Sequence, residues 1–146
     1  MRILPPVWFV LAIVAMVALA YFVPLVQWHL APLKWAGVAL IAVGLATAVT
    51  AARHFKRAGT PLQPFSRASA LVTAGPFRFT RNPMYLGLAV VLVGVALALQ
   101  SLTPFFVIPA FVAIITFGFI VPEEAMLKER FGDDYAAFQS RVRRWL

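Results

Sequence analysis

Two short stretches hold most of the residue types that could do chemistry. Gly75-Pro76-Phe77-Arg78-Phe79-Thr80-Arg81-Asn82-Pro83-Met84-Tyr85-Leu86-Gly87 sets two arginines, an asparagine and a tyrosine against the start of a long apolar run. Thirty-five residues after Gly87 a further apolar run reaches Pro122, followed at once by Glu123-Glu124; all five acidic residues lie from Glu123 onward. Guanidinium and amide groups hold carboxylates, carboxylates hold ammonium groups, and aromatic faces attract cations. The two stretches together suggest a polar pocket at a membrane surface.

The elements that must position these groups are membrane helices. Of the 146 residues, 62% are hydrophobic and only 12% are charged, and the mean hydropathy is +0.88, which departs strongly from soluble-domain composition. Four apolar runs, about 7–28, 33–52, 83–100 and 103–121, approach the ~20 residues that cross ~30 Å of hydrocarbon as a helix. Backbone groups in lipid must bond to one another, so the expected fold is all-α: an integral membrane protein with four transmembrane helices and short cytosolic amphipathic helices at its C-terminal end. The length allows a single domain, 1–146.

Lys and Arg placement orients the helices. Only Lys34 lies between runs one and two, and none lies at Gln100-Ser101-Leu102, whereas Arg53, Lys56, Arg57, Arg67, Arg78 and Arg81 lie between runs two and three. Arg2 precedes the first run, and Lys128, Arg130, Arg141, Arg143 and Arg144 follow the last. Both termini and the central loop are expected in the cytosol, with the protein in a bacterial inner (cytoplasmic) membrane. Ala18-Leu19-Ala20 resembles a signal cleavage site, but the run continues past it to Val26 and lacks a strongly basic start, so it is read as a membrane helix. The net charge of +8 is explained by the same bias and by anionic headgroups, so nucleic acid is not expected as a partner.

Gly37 and Gly44 in the second run, and Gly87 and Gly94 in the third, are each seven apart. Each pair lies on one helix face and suits close packing, within or between chains. The segment 53–69 reads as a basic surface loop that buries Phe55, Leu62 and Phe65 at the interface. Beyond Pro122 a helix is expected with Glu124 and Lys128 as a possible i,i+4 pair and Met126, Leu127 and Phe131 on its apolar side. Gly132 stops that helix, Asp133 is a plausible cap for the next, and Tyr135, Phe138, Val142 and Trp145 form the second helix's stripe, with Arg141, Arg143 and Arg144 toward headgroups. These helices, 123–146, suit a lid.

Each motif has a structural reading beside the functional one. Asn82 and Pro83 suit the cap and first turn of a helix, and the basic, aromatic cluster around them suits either a ligand or the membrane interface. Glu123 and Glu124 suit the positive end of a helix dipole, yet carboxylates at the hydrocarbon edge need partners. No metal site is expected: there is no cysteine, and His29 and His54 fall on opposite sides of the membrane. Ser66, Ser69 and Ser101 have no triad partners nearby in sequence, and no glycine-rich phosphate loop is present.

The segment Leu71 to Gly87, then Glu123-Glu124, then Phe131-Gly132-Asp133-Asp134-Tyr135 resembles the isoprenylcysteine carboxyl methyltransferase family, itself similar to the phospholipid N-methyltransferases. The resemblance covers roughly residues 67–146, in order and approximate spacing. It implies an integral membrane methyltransferase using S-adenosylmethionine at the cytosolic face, with a cofactor-motif loop at 67–87. By position, Ser69, Ala70, Leu71 and Val72 would line the adenosine pocket and Phe77 would be a cofactor-contacting aromatic. Asn82, Pro83 and Tyr85 would form the core cofactor motif, and Glu123 and Glu124 the acidic pair. Asn82 replaces the family's usual histidine and cannot titrate near neutral pH, so a binding role is expected of it. Phe117-Gly118-Phe119-Ile120 lacks the arginine with which prenylcysteine enzymes grip their substrate, which points away from a prenylcysteine carboxylate as acceptor.

The physical chemistry of the cofactor agrees. Glu123 or Glu124 suits its ammonium and Arg81 or Arg78 its carboxylate, while Tyr85 or Phe77 suits the sulfonium or adenine. Tyr85 and Glu124 are the expected catalytic groups, Glu124 as the base that an amine acceptor would need. The expected acceptor is a lipophilic molecule or lipid reaching the site from the bilayer. Two alternatives remain at this level: an NADPH-dependent membrane reductase related to sterol reductases, and a non-enzymatic helical membrane protein.

Overall fold

A computed structural model describes residues 4–61 and 68–146. Leu62, Phe65, Ser66 and Arg67, and with them the first residue of the motif loop, lie outside the described residues, as does Arg2. The described chain is helical. Helix α1 is Pro5–Phe22, α2 is Ala31–Arg57, α3 is Pro83–Ala98, α4 is Val107–Ile115 and α5 is Val121–Arg141, with short 3₁₀ turns at Gly75–Arg78 and Thr103–Phe106. Three helical stretches, Pro5–Phe22, Ala31–Arg57 and Thr103–Arg141, are long and apolar enough to cross a membrane, and Pro83–Ala98 is a shorter apolar helix. The chain is an integral membrane protein by these helices.

The helix bounds differ from the apolar runs where backbone chemistry intervenes. The first run was expected to be helical to residue 28, but α1 ends at Phe22. Pro24 has no N–H and disfavours the α conformation of Val23 before it. The chain from Val23 instead bonds to the turn before α4. Thr103 Oγ1 donates to the Val23 carbonyl at 2.6 Å, Trp28 N–H to Gln100 at 3.0 Å and Leu102 N–H to Val26 at 2.9 Å. The second run was expected to stop at residue 52, but α2 continues through Arg53, His54 and Phe55 to Arg57, because nothing between Ala52 and Arg57 breaks a helix.

The largest difference is at Pro122. The apolar run and the acidic pair belong to one continuous helical stretch, Thr103–Arg141, of 39 residues. At ~1.5 Å per residue, the stretch from Thr103 to Pro122 alone approaches the ~30 Å of hydrocarbon, so the acidic pair falls at the end of a membrane-length segment. The helix passes Pro122 by widening first: Thr116–Ile120 is a π turn, which places the carbonyl of Gly118 within a loosened segment where the proline ring would otherwise press on it. Gly132, at φ 51 and ψ −120, then interrupts α5, the break expected at that glycine. The following turns fold back: Tyr135, Phe138 and Val142 bury against Ala51 and Phe77.

α2 and α3 pack through their glycines. A Cβ on Gly37 would sit 2.5 Å from the Gly94 carbonyl oxygen, and one on Gly44 would sit 2.5 Å from that of Gly87; the reciprocal positions are equally tight. The close-packing faces read from the sequence thus meet each other within one chain. α1, α3 and α4 share the second contact region, with Met16, Leu92, Phe111 and Ile115 at its centre. Two separate apolar clusters result, one in the membrane bundle and one under the mouth where α3 begins and α5 continues.

Candidate active site

The mouth cluster floors a cavity of about 490 Å³, lined by five parts of the chain: the end of α2 with Thr60 and Pro61, Ala68 with Ala70, Leu71 and Val72, Phe77, Arg81 and Asn82 with the first turn of α3, and α5 on both sides of Gly132. Ligand cavities commonly enclose ~300–1,000 Å³. Of the residues singled out from the sequence, Ala70, Leu71, Val72, Phe77, Arg81, Asn82, Pro83, Tyr85, Glu123 and Glu124 all line it. Ser69 does not. Its hydroxyl donates to the Gly59 carbonyl at 2.8 Å and meets Thr60 Oγ1 at 3.2 Å, so it braces the wall from behind.

Thr60 was missed by the sequence reading. It is buried, and its Oγ1 accepts from the Ala70 N–H at 3.2 Å and donates to the Ala70 carbonyl at 3.3 Å. One hydroxyl therefore serves both backbone groups of Ala70 and ties 68–72 to the end of α2. Met84, Met126 and Leu127, also lining residues, were not expected there as a set. Phe77 is set edge-on against Phe55, with ring centroids 5.0 Å apart and planes at 81°. Phe55, expected at the membrane interface, lies near the end of α2 and lines the cavity.

Glu123 and Glu124 are adjacent, so a helix turns their side chains about 100° apart. Glu123 Oε1 accepts from the Tyr85 hydroxyl at 3.2 Å. Among the described residues, no lysine or arginine lies within ion-pair distance of Glu123. Glu124 is 8% exposed and faces two guanidinium groups. Arg81 Nη2 lies 3.0 Å from its Oε1, while Arg144 Nε donates to Oε1 at 3.1 Å and Arg144 Nη2 to Oε2 at 2.7 Å. The pairing considered for Glu124 with Lys128 is replaced by this one. The hydrogen bond from Arg144 to Glu124 raises the Arg144 pKa above its ordinary value.

Three side chains differ from their sequence-based placement. Asn82 precedes α3 but makes no side-chain cap; its Nδ2 donates instead to the Arg144 carbonyl at 2.9 Å. Arg144, expected among headgroups, turns inward to Glu124. Of the two arginines considered for a carboxylate, Arg81 lines the cavity, whereas Arg78 is exposed and does not. Arg81 donates through Nη1 to the Gln139 carbonyl at 3.4 Å, and its Nε is buried with no hydrogen-bond partner among the described residues.

The site therefore belongs to an all-helical membrane protein with a charged cavity where the bundle ends. A family model for phospholipid methyltransferases matches residues 33–134, more than two thirds of the chain, and the protein belongs to that family. No match to a curated protein was found. The matched segment contains nearly all of α2, the motif loop, α3 and the acidic pair. Membership suggests methyltransferase activity on a membrane lipid.

Proposed function

We propose that the cavity binds S-adenosylmethionine and that the protein catalyses methyl transfer to a lipophilic acceptor reaching the site from the bilayer, at the cytosolic face. One observation carries the reading. Among the described residues, the lining of this cavity includes a carboxylate with no cation in ion-pair distance, Glu123, and a guanidinium, Arg81, whose buried Nε has no acceptor. The amino-acid end of the cofactor offers an ammonium and a carboxylate on one carbon, which satisfies both.

In this reading Glu123 holds the ammonium and Arg81 the carboxylate. Tyr85 orients Glu123 through its hydroxyl, and Asn82 holds the motif loop against Arg144. Residues 69–72 and Phe77 take the adenosine, with Ser69 acting through Thr60. The cofactor supplies a methyl group activated by its sulfonium. Met84, Met126 and Leu127 exclude water and leave an apolar path for the acceptor, so the chain contributes alignment and desolvation. Glu124 has both oxygens committed to guanidinium donors. We assign it to holding Arg81 rather than to accepting a proton.

Titration calorimetry of the detergent-solubilised protein with S-adenosylmethionine tests the proposal. Glu123→Gln keeps the shape and removes the charge; affinity should fall about thirtyfold, ~2 kcal/mol for one hydrogen-bonded ionic contact. Unchanged affinity in that variant would refute the assignment. Incubation with methyl-labelled cofactor and co-purified lipids would then identify the product.

A further inference from the structure

The segment after α5 touches the motif loop, Glu124 and the π turn. The Arg143 carbonyl accepts from the Arg81 N–H at 2.9 Å, and the Arg144 carbonyl accepts from Asn82 Nδ2 at 2.9 Å and Thr80 Oγ1 at 3.2 Å. The Arg144 side chain forks onto Glu124 at 3.1 and 2.7 Å, and Trp145 Nε1 donates to Thr116 Oγ1 in the π turn at 3.2 Å. Val142 leaves the helix with φ −125 and ψ 128. Extended backbone alternates its side chains, so Val142 is buried, Arg143 exposed and Arg144 turned back inward. Arg141 is exposed as well, its Nε bonded to the Ala137 carbonyl of its own helix.

We propose that Arg144 is a positioning residue for the cofactor site. Its carbonyl fixes the motif loop at Thr80 and Asn82, and its guanidinium fixes Glu124. Glu124 in turn holds Arg81 by Nη2, which fixes the guanidinium in the cavity wall for a ligand carboxylate. One residue thus couples the motif loop to the acidic pair, two parts separated by about forty residues of chain. The family match ends at residue 134, so family membership does not assign this role. The inference rests on the cofactor reading above for its functional half. Its structural half, that Arg144 holds Arg81, stands without it.

A lysine cannot reproduce a two-point fork, which gives the test its discrimination. Arg144→Gln should weaken S-adenosylmethionine binding about tenfold, a figure kept modest because the side chain is partly exposed. Arg144→Lys should recover only part of that loss. Glu124→Gln and the Glu124→Gln/Arg144→Gln double variant complete a cycle: if the two act as one unit, the double variant binds no more weakly than the worse single one. Multiplying losses, full recovery by lysine, or unchanged affinity in Arg144→Gln would each overturn the coupling. Amide exchange at Arg81, measured in full-length protein without cofactor, should accelerate at least about tenfold in Arg144→Gln while α2 amides stay protected. Unaltered exchange would overturn the structural half. Wild-type protein that fails to bind S-adenosylmethionine would instead remove the cofactor reading, and the exchange result would still decide whether Arg144 holds Arg81.

Discussion

The Tyr85 hydroxyl donates to Glu123 Oε1 at 3.2 Å, joining the first turn of α3 to the first turn of α5 across 38 residues of chain. The contact closes one rim of the cavity and sets the direction of a carboxylate that has no cationic partner among the described residues. Tyr85→Phe removes only the donor. Cofactor affinity should fall about tenfold, in line with ~1.5 kcal/mol for a hydrogen bond to a charged group. Calorimetric titration showing wild-type affinity would mean that Glu123 is positioned by its helix alone.

Thr60 is the hinge between α2 and the wall formed by 68–72. Thr60→Val keeps the volume but leaves both backbone groups of Ala70 without their side-chain partner. A loss of ~1 kcal/mol in the stability of that wall is expected, read as faster amide exchange at Ala70 and weaker binding of adenosine-containing ligands. Thr60→Ser should behave as wild type, because it keeps the hydroxyl.

Gly132 adopts φ 51 and ψ −120, a conformation costing a residue with Cβ ~1–3 kcal/mol. No atom stands near where its Cβ would be, so the penalty of Gly132→Ala is backbone strain rather than collision. The fold-back carrying Tyr135, Phe138 and Arg144 should loosen while the membrane bundle stays intact. Limited proteolysis should cut this variant beyond residue 132 sooner than wild type; equal resistance would count against the strained bend.

The α2–α3 contact leaves no room for side chains. Gly44→Val would drive a Cβ to 2.5 Å from the Gly87 carbonyl, forcing the backbones apart. Overpacking usually costs ~1–3 kcal/mol, and backbone that cannot yield raises it. Thermal unfolding in detergent should show a lowered midpoint for Gly44→Val and none for Gly118→Ala, where a Cβ meets nothing.

Much of the site was legible because the features involved are local. Pro83 at the start of α3, the paired glycines and the break at Gly132 follow from backbone chemistry that a few residues decide. Ten of the twelve residues singled out for binding line the cavity. Exposed Arg78 is one exception; Ser69 is the other, since only the nearness of Gly59 in the fold reveals where its hydroxyl points. Thr60 carried no motif; a threonine beside Gly59 and Pro61 reads as a turn residue until its partner ten positions later is known.

Composition alone determined that this chain is a helical membrane protein, because lipid offers no partner for backbone polar groups and apolar runs of that length have one solution. The order of its polar motifs was equally explicit in the sequence. Partnership was decided only by tertiary structure. Which glutamate meets Tyr85 and which meets arginine depends on the rotation of α5, set by the π turn before Pro122 and by the fold-back after Gly132. Arg144 faces Glu124 rather than solvent because an extended strap brings it there, and no spacing along the chain encodes a contact between residues that only packing makes neighbours.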